Sequence, residues 1–531
     1  MGREKRPSPL DAGPEGIQIE DGTQRKLEAR HIQMIAIGGT IGTGLFLNSA
    51  TVISASGAVG ALIAFIVAGV SVFFVCSSLG EMATLIPCSG SFSTFGSRYV
   101  EPALGLAIGW VYCILYFIIL PIELMSAASF LRYWFPHISQ YYFMGGILLV
   151  LVIINCLAVK GFGEVEYWLA MIKIAAILFF LAVAIYILCR ENPGISSYSK
   201  AGGPFLGTGF ASAFQNIIRA IVGACFSFGG TEMIGITAGE AKNPRKSVPR
   251  AINGTFWRIM FFYVLSILFI GLLIPANADE LVTGDQLGRS PYVLALQKAK
   301  IPGVHDFMNF ICFIAVFSAA NSAIYANSRS LMALSREGHA PAILGKTTKS
   351  GVPIYAIALT TSFASIAFLG YLYGEGVIFE WLIKLMGLSI ILVWMLICFT
   401  HLRFRRAYVA QGFKIEDLPY KAFLFPYGCY WAIFACICTI LLNPIFAAMD
   451  ASANGGSPAS EFITNFIAVP FFLFLYMVCK WIKKSSMVPL EQVDLRTGNI
   501  NIDENMVGLW VEGADTGSKK GRMAKMLEFL A

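Results

Sequence analysis

Apolar runs of about 20 residues recur from one end of this chain to the other, and each is long enough to cross a hydrocarbon layer of ~30 Å. That pattern narrows the fold sharply. In lipid every backbone polar group must be satisfied inside the structure, which leaves helices or a closed barrel. Runs of this length, without the ten-residue alternation of a barrel strand, predict an all-α polytopic membrane protein. The charge content agrees: 13% of residues are charged and 56% hydrophobic, where a soluble chain would carry about 25% charged. Residues 1–30 are polar and lack an apolar core, so the first span is expected to act as the insertion signal. The cysteines fall mainly within apolar segments, for example Cys76, Cys156, Cys312 and Cys398, and none shows a metal-ligand or redox spacing. No cofactor and no metal are implied. The net charge of +7 follows topology and does not point to nucleic acid.

Twelve spans are expected, near 33–52, 58–83, 103–131, 141–159, 165–189, 213–238, 253–275, 304–328, 354–373, 377–400, 423–443 and 462–482. An even number places both termini on one side, and Lys and Arg decide which. With the termini cytoplasmic, 30 of the 39 lysines and arginines fall in inner segments and six in outer loops. The remaining three, Lys173, Arg219 and Lys384, lie within spans. The chain then divides into a cytoplasmic tail (1–32), a transmembrane domain (33–484) and a second cytoplasmic tail (485–531). Within the domain, repeats of about 33–189 and 213–400 precede two further helices at about 423–482.

The first span is unusual. In IAIGGTIGTGLFLNSA (35–50), four of the seven residues from Gly38 to Gly44 are glycine, each costing a helix roughly 1 kcal/mol against alanine. A broken helix is tolerated at membrane depth where it is buried in protein or lines a wet cavity. Close helix packing is the alternative, since small residues also let helices approach. The sixth span repeats the oddity: FSFGGTEMIG (226–235) has Gly229 and Gly230 within an apolar segment and Glu232 just beyond. Glycine-interrupted helices at the starts of two successive five-helix sets predict an inverted-repeat transporter. A channel would favour charged rings or a filter loop. A membrane-embedded enzyme would need a catalytic constellation that the spans do not carry.

Longer motifs add a resemblance. IAIGGTIGTGLF (35–46), PCSGSFSTFGSRYVEPALGLAIGW (87–110), VKGFGEVEYWLAMIKI (159–174), FSFGGTEMIGITAGEAKNPRKSVPRAI (226–252) and SAANSAIYANSRSLMALSREGHAP (318–341) occur in order. Together with HLRFRRA (401–407) they resemble the fungal amino-acid permeases of the amino acid/polyamine/organocation superfamily, over roughly residues 27–484. The resemblance implies a LeuT-type five-plus-five inverted repeat with two extra helices, a plasma-membrane location, and uptake of amino acids with protons. A receptor with little flux, or a polyamine or other organic-cation carrier, is the alternative.

An α-amino acid brings a carboxylate and an ammonium that must both leave water. A broken helix offers unpaired N–H groups at one half-helix start and free C=O groups at the other half's end. The carboxylate is therefore assigned to the backbone and hydroxyls of Thr40, Gly42, Thr43 and Gly44. The ammonium is assigned to carbonyls near Ile37 and from Phe226 to Phe228, beside Gly229. Phe226 and Phe228 would close over the substrate or simply pack between helices. Glu123 and Glu232 are carboxylates at membrane depth, which are functional by default, and the resemblance maps proton-coupling and substrate roles onto them. A structural hydrogen bond to a helix end is the other reading for each. Lys173 resembles the helix-5 lysine that replaces a sodium ion in the wider superfamily. It would hold helix-1 carbonyls and the region of Ser318, Asn321 and Ser322, unless it snorkels to the cytoplasmic face.

Two residues depart from the family pattern. Lys384 stands where helix 10 commonly has a neutral residue, and Met386 replaces a hydroxyl two positions on. A pocket-facing Lys384 would disfavour cationic substrates; a Lys384 snorkelling outward would not matter. The basic loops 239–252 and 328–341 are expected at the cytoplasmic gate. The tail lysines Lys5, Lys26, Lys519 and Lys520 are candidate acceptors for ubiquitin and the trafficking machinery.

Overall fold

The computed structural model describes residues 27–157, 159–191, 210–274, 290–297 and 301–499. The four tail lysines lie outside the described residues. Helix α1 (Ala29–Thr40) opens on a reciprocal cap between Glu28 and His31, with the Glu28 N–H donating to His31 Nδ1 at 3.3 Å. It stops at Ile41, whose backbone is extended. After Gly42 a single turn, α2 (Thr43–Phe46), leads through a bend at Leu47 into α3 (Asn48–Leu85). Gly57, with φ of 73°, divides α3 into two helices, so residues 48–56 complete the first crossing and 58–85 form the second.

The rest of the first set is α4 (Ser91–Tyr99), α5 (Pro102–Arg132), α6 (Gln140–Asn155) and α7 (Val159–Glu191). Proline at the start of α5 meets a turn where its missing N–H has no partner to lose. The second set begins with another broken helix, α8 (Phe210–Phe228) and α9 (Met233–Ala238). There follow α10 (Pro244–Leu273), α11 (Pro291–Gln297) and α12 (Val304–Arg336). Helix α13 (Ile354–Ser362) passes through a 3-10 stretch (Phe363–Leu369) into α14 (Gly370–Tyr373), and α15 (Glu375–Ala410) closes the set. Beyond it lie α16 (Tyr427–Ala453), then α17 (Pro458–Phe466) and α18 (Ala468–Lys483), bent by 45° to one another.

Among the described residues, nine helices are long and apolar enough to cross a membrane, ten if the bent pair is one span. The difference from twelve has a local cause. Helix α6 has 16 residues, about 24 Å, which falls short of ~30 Å of hydrocarbon. The first crossing is split by its break, leaving 12 residues in α1 and its outer half continuous with the next helix.

The broken helices sit at the centre, with α1 against α7, α10 and α12, and α8 against α3. Buried with them are Glu123, Glu166, Lys173, Glu232, Glu240 and Arg329. The start of the second tail is docked: Val488 N–H donates to Val100 O at 2.9 Å, and Gln411 Nε2 donates to Leu490 O and Val493 O.

Candidate functional site

The two breaks face each other across a close backbone contact. A Cβ on Gly44 would lie 2.5 Å from Ser227 Cα, so only hydrogen fits between the chains there. Ser227 Oγ donates to Gly44 O at 2.7 Å. The Tyr263 hydroxyl is 2.9 Å from Thr40 O and 2.8 Å from Ser227 O, bridging one carbonyl at each break. Gly230 takes φ of 98° and lies against Gly39 O, a position that excludes a side chain on both counts.

Between the breaks is a cavity of about 20 Å³, room for a water-sized occupant. Thr40, Gly42, Gly44, Phe226, Gly229, Met386 and Glu123 line it, together with Tyr116, Ile119, Ala319 and Ile390. Outside it lies a larger cavity of about 600 Å³, lined by Asn48, Arg219, Asn443, Asp450 and Glu461 among others. Phe226 lines both.

Other expected residues sit around this cavity rather than in its wall. Thr43 is buried and its hydroxyl donates to Glu123 Oε2 at 2.8 Å. Thr40 does line the cavity, but its hydroxyl turns back onto Ala36 O at 2.6 Å, the usual recourse of a threonine within a helix. Phe228 packs against Phe65 and Tyr263, with ring centroids 6.1 and 4.7 Å away. The carbonyls expected for the ammonium each already accept one bond. Ile37 O takes the Ile41 N–H, Phe226 O the Gly229 N–H, and Phe228 O the Thr231 hydroxyl. Glu232 lies behind the wall, where its carboxyl accepts from Gly230 N–H at 3.2 Å and from Trp394 Nε1 at 3.3 Å. Tyr112 and Tyr116 reach it at 3.4 Å. The Lys384 side chain lies outside the described residues.

Lys173 is fully buried, and its Nζ donates to Gly38 O at 2.5 Å and Ile41 O at 2.8 Å. These are carbonyls at the end of α1, where the helix no longer supplies partners. The Ser318 and Asn321 side chains, expected near the lysine, instead donate to Glu166 of α7. Asn155 of α6 extends this network by donating to Asn321 Oδ1 at 2.8 Å.

The end of the bundle that carries the two basic loop motifs is closed by charged contacts. Glu240, at the end of the sixth crossing, accepts from Tyr325 at 2.5 Å and from Arg329 Nε at 3.3 Å, and Arg329 stacks 4.0 Å over the Tyr325 ring. Each of the two basic loop motifs thus adjoins one partner of a buried ion pair. Arg30 and His31 of α1 both reach Glu164 of α7, at 2.8 and 3.1 Å. Leu27 forms a parallel bridge to Ala241.

Glu166, Tyr263 and the Ser227 hydroxyl stand beyond the residues expected from the sequence. Glu166 had a detectable signal, as a carboxylate in an apolar span seven residues before Lys173. A tyrosine and a serine in apolar helices carry none.

The overall fold recurs in a solved membrane transporter. The structure matches the Eremococcus coleocola manganese transporter with a TM-score of 0.51 at 12% identity, covering 86% of this chain and 94% of that one, a likeness of fold alone. The sequence relationship is narrower. A family model described as amino acid permease matches residues 31–490, and the chain belongs to that family. It is 40% identical to the lysine-specific permease LysP of Lactococcus lactis, over 90% of this chain and 93% of the relative. It is also 40% identical to the histidine permease HisP of the same organism, over 90% and 99%.

Proposed function

We propose that this chain is a proton-coupled symporter that imports amino acids by alternating access, in the plasma membrane with both termini cytoplasmic. The observation that carries the reading is Lys173, a buried ammonium holding Gly38 O and Ile41 O at the helix break. A protonatable group in that position ties the geometry of helix 1 to proton occupancy. Glu123, facing the cavity and bonded to Thr43 of the same break, is the second proton-carrying group. The substrate carboxylate meets the N–H groups from Gly42 to Gly44, and its ammonium meets the second lone pairs of the α8 carbonyls. Phe226 moves to join the outer cavity to the inner one.

Relatives of equal identity bear the names of a lysine and a histidine permease, so the side-chain preference rests on this chain's own pocket. Met386 and Ile390 line it, and Lys384 belongs to the same helix. The test is competition uptake with all twenty amino acids at two external pH values, with and without sodium. Accumulation that rises with external acidity and ignores sodium supports the reading. Uptake that follows sodium, or no uptake of any amino acid, refutes it.

A further inference from the structure

Glu166 is a fully buried carboxyl that the transport cycle described above does not use. It sits on α7 seven residues before Lys173, the same face two turns away, about 10.5 Å along the axis. Both side chains nonetheless reach one residue of α1. Lys173 Nζ holds the Gly38 carbonyl, while the Glu166 carboxyl occupies the space where a Gly38 side chain would project. The hydrogen-bond donors to Glu166 are neutral: Ser318, and Asn321 Nδ2 at 3.0 Å. Ser322 also faces it from α12, and Lys173 is the charged side chain acting on it. On the side of α1 it meets Gly38, and His31, seven residues earlier, is engaged with Glu164. Among the described residues no cation lies within ion-pair distance of Glu166. A carboxylate buried on neutral donors is costly unless it can take a proton.

We infer that Glu166 is a proton-binding site on the cytoplasmic side of Lys173, receiving the coupled proton from the Lys173 ammonium; this rests on the symport reading above. In that step, carried by a water that bridges the two side chains, an N–H bond of the ammonium breaks, its electron pair stays on nitrogen, and an O–H bond forms on the carboxylate. Two opposite charges become two neutral groups. The neutral amine is a poorer donor than the ammonium, so its grip on Gly38 O and Ile41 O weakens. Helix α1 is thereby freed from α7. When Arg30 and His31 also leave Glu164, the Glu166 carboxyl meets cytoplasmic water and releases its proton there. Ser318 and Asn321 then hold the returned carboxylate for the next cycle.

The experiment uses the full chain reconstituted in vesicles, with a radiolabelled mixture of the twenty amino acids as probe. Three quantities are measured: exchange at equal pH, accumulation driven by an inward proton gradient, and acidification reported by a trapped pH dye. Glu166→Gln is expected to keep exchange and to lose both gradient-driven accumulation and dye acidification. Glu166→Asp is expected to keep all three. Wild-type accumulation that ignores the proton gradient overturns the symport reading itself. A responsive wild type with an equally responsive Glu166→Gln overturns this inference alone. Should Glu166→Gln fail to fold, Ser318→Ala removes one donor to the same carboxyl. Its proton release must then shift along the internal pH axis, and an unshifted profile overturns the inference.

Discussion

Replacing Lys173 by methionine keeps the buried apolar stem and removes the ammonium. Two carbonyls at the end of α1 then lose a charged donor, at 2.5 and 2.8 Å in the native protein. Hydrogen bonds to charged groups are worth about 1.5–3 kcal/mol each, and two that share one nitrogen are not additive. We take about 3 kcal/mol as the loss, which is on the order of 150-fold in the equilibrium between α1 packed and α1 released. Hydrogen–deuterium exchange reads this directly. Amides of residues 34–40 should exchange about 100-fold faster in Lys173→Met, while those of α5, on the far side of the break, should change little. Gradient-driven accumulation in vesicles should be lost in the same variant. Native exchange at 34–40, together with native accumulation, would show that the ammonium neither holds the break nor couples it, and the reasoning would be refuted.

Valine at Gly44 should abolish uptake while surface expression survives, because its Cβ meets backbone at Ser227; labelled uptake and a surface immunoassay separate the two. Glu240→Gln removes one charge of a buried pair and should lower stability by about 3–5 kcal/mol, seen as a reduced melting temperature in detergent. Arg219→Gln breaks a pair at 2.9 Å whose side chains are 30% and 46% exposed, and should cost less than about 1 kcal/mol by the same measurement. A pocket-facing Lys384 about 6 Å from a cationic substrate would repel it by about 3 kcal/mol at effective dielectric 20, near 100-fold in affinity. Lys384→Asn should therefore gain arginine or lysine uptake and lose any acidic substrate; micromolar arginine transport by the native protein would refute this.

The break in the first crossing was readable because helix propensity and membrane burial both argue against four glycines there. The kink at Gly57 lies in the interval left between the first two expected spans. Glu166 escaped for a reason of register. The expected fifth span begins at 165 and makes Glu166 an edge residue, whereas α7 starts at Val159 and carries it inward. Hydroxyl direction was also hidden. Thr40 and Thr43 are three residues apart in a glycine-rich stretch, yet one bonds its own helix and the other bonds Glu123. That choice depends on helix α5, 80 residues away in the chain, and no local pattern encodes it. Tyr263 and Ser227 carry the same lesson, because their partners are backbone atoms of a different segment.

The Tyr263 hydroxyl has one proton and stands between two carbonyls, one at each break. If either break shifts alone, that proton must favour one carbonyl and leave the other without its donor in a dry interior. Intermediates with one helix bent and the other straight are thereby disfavoured. On the symport reading proposed above, such half-moved states would let protons cross without cargo. On that reading the tyrosine would act against slippage, and the ratio of protons to amino acids carried is the quantity it would protect.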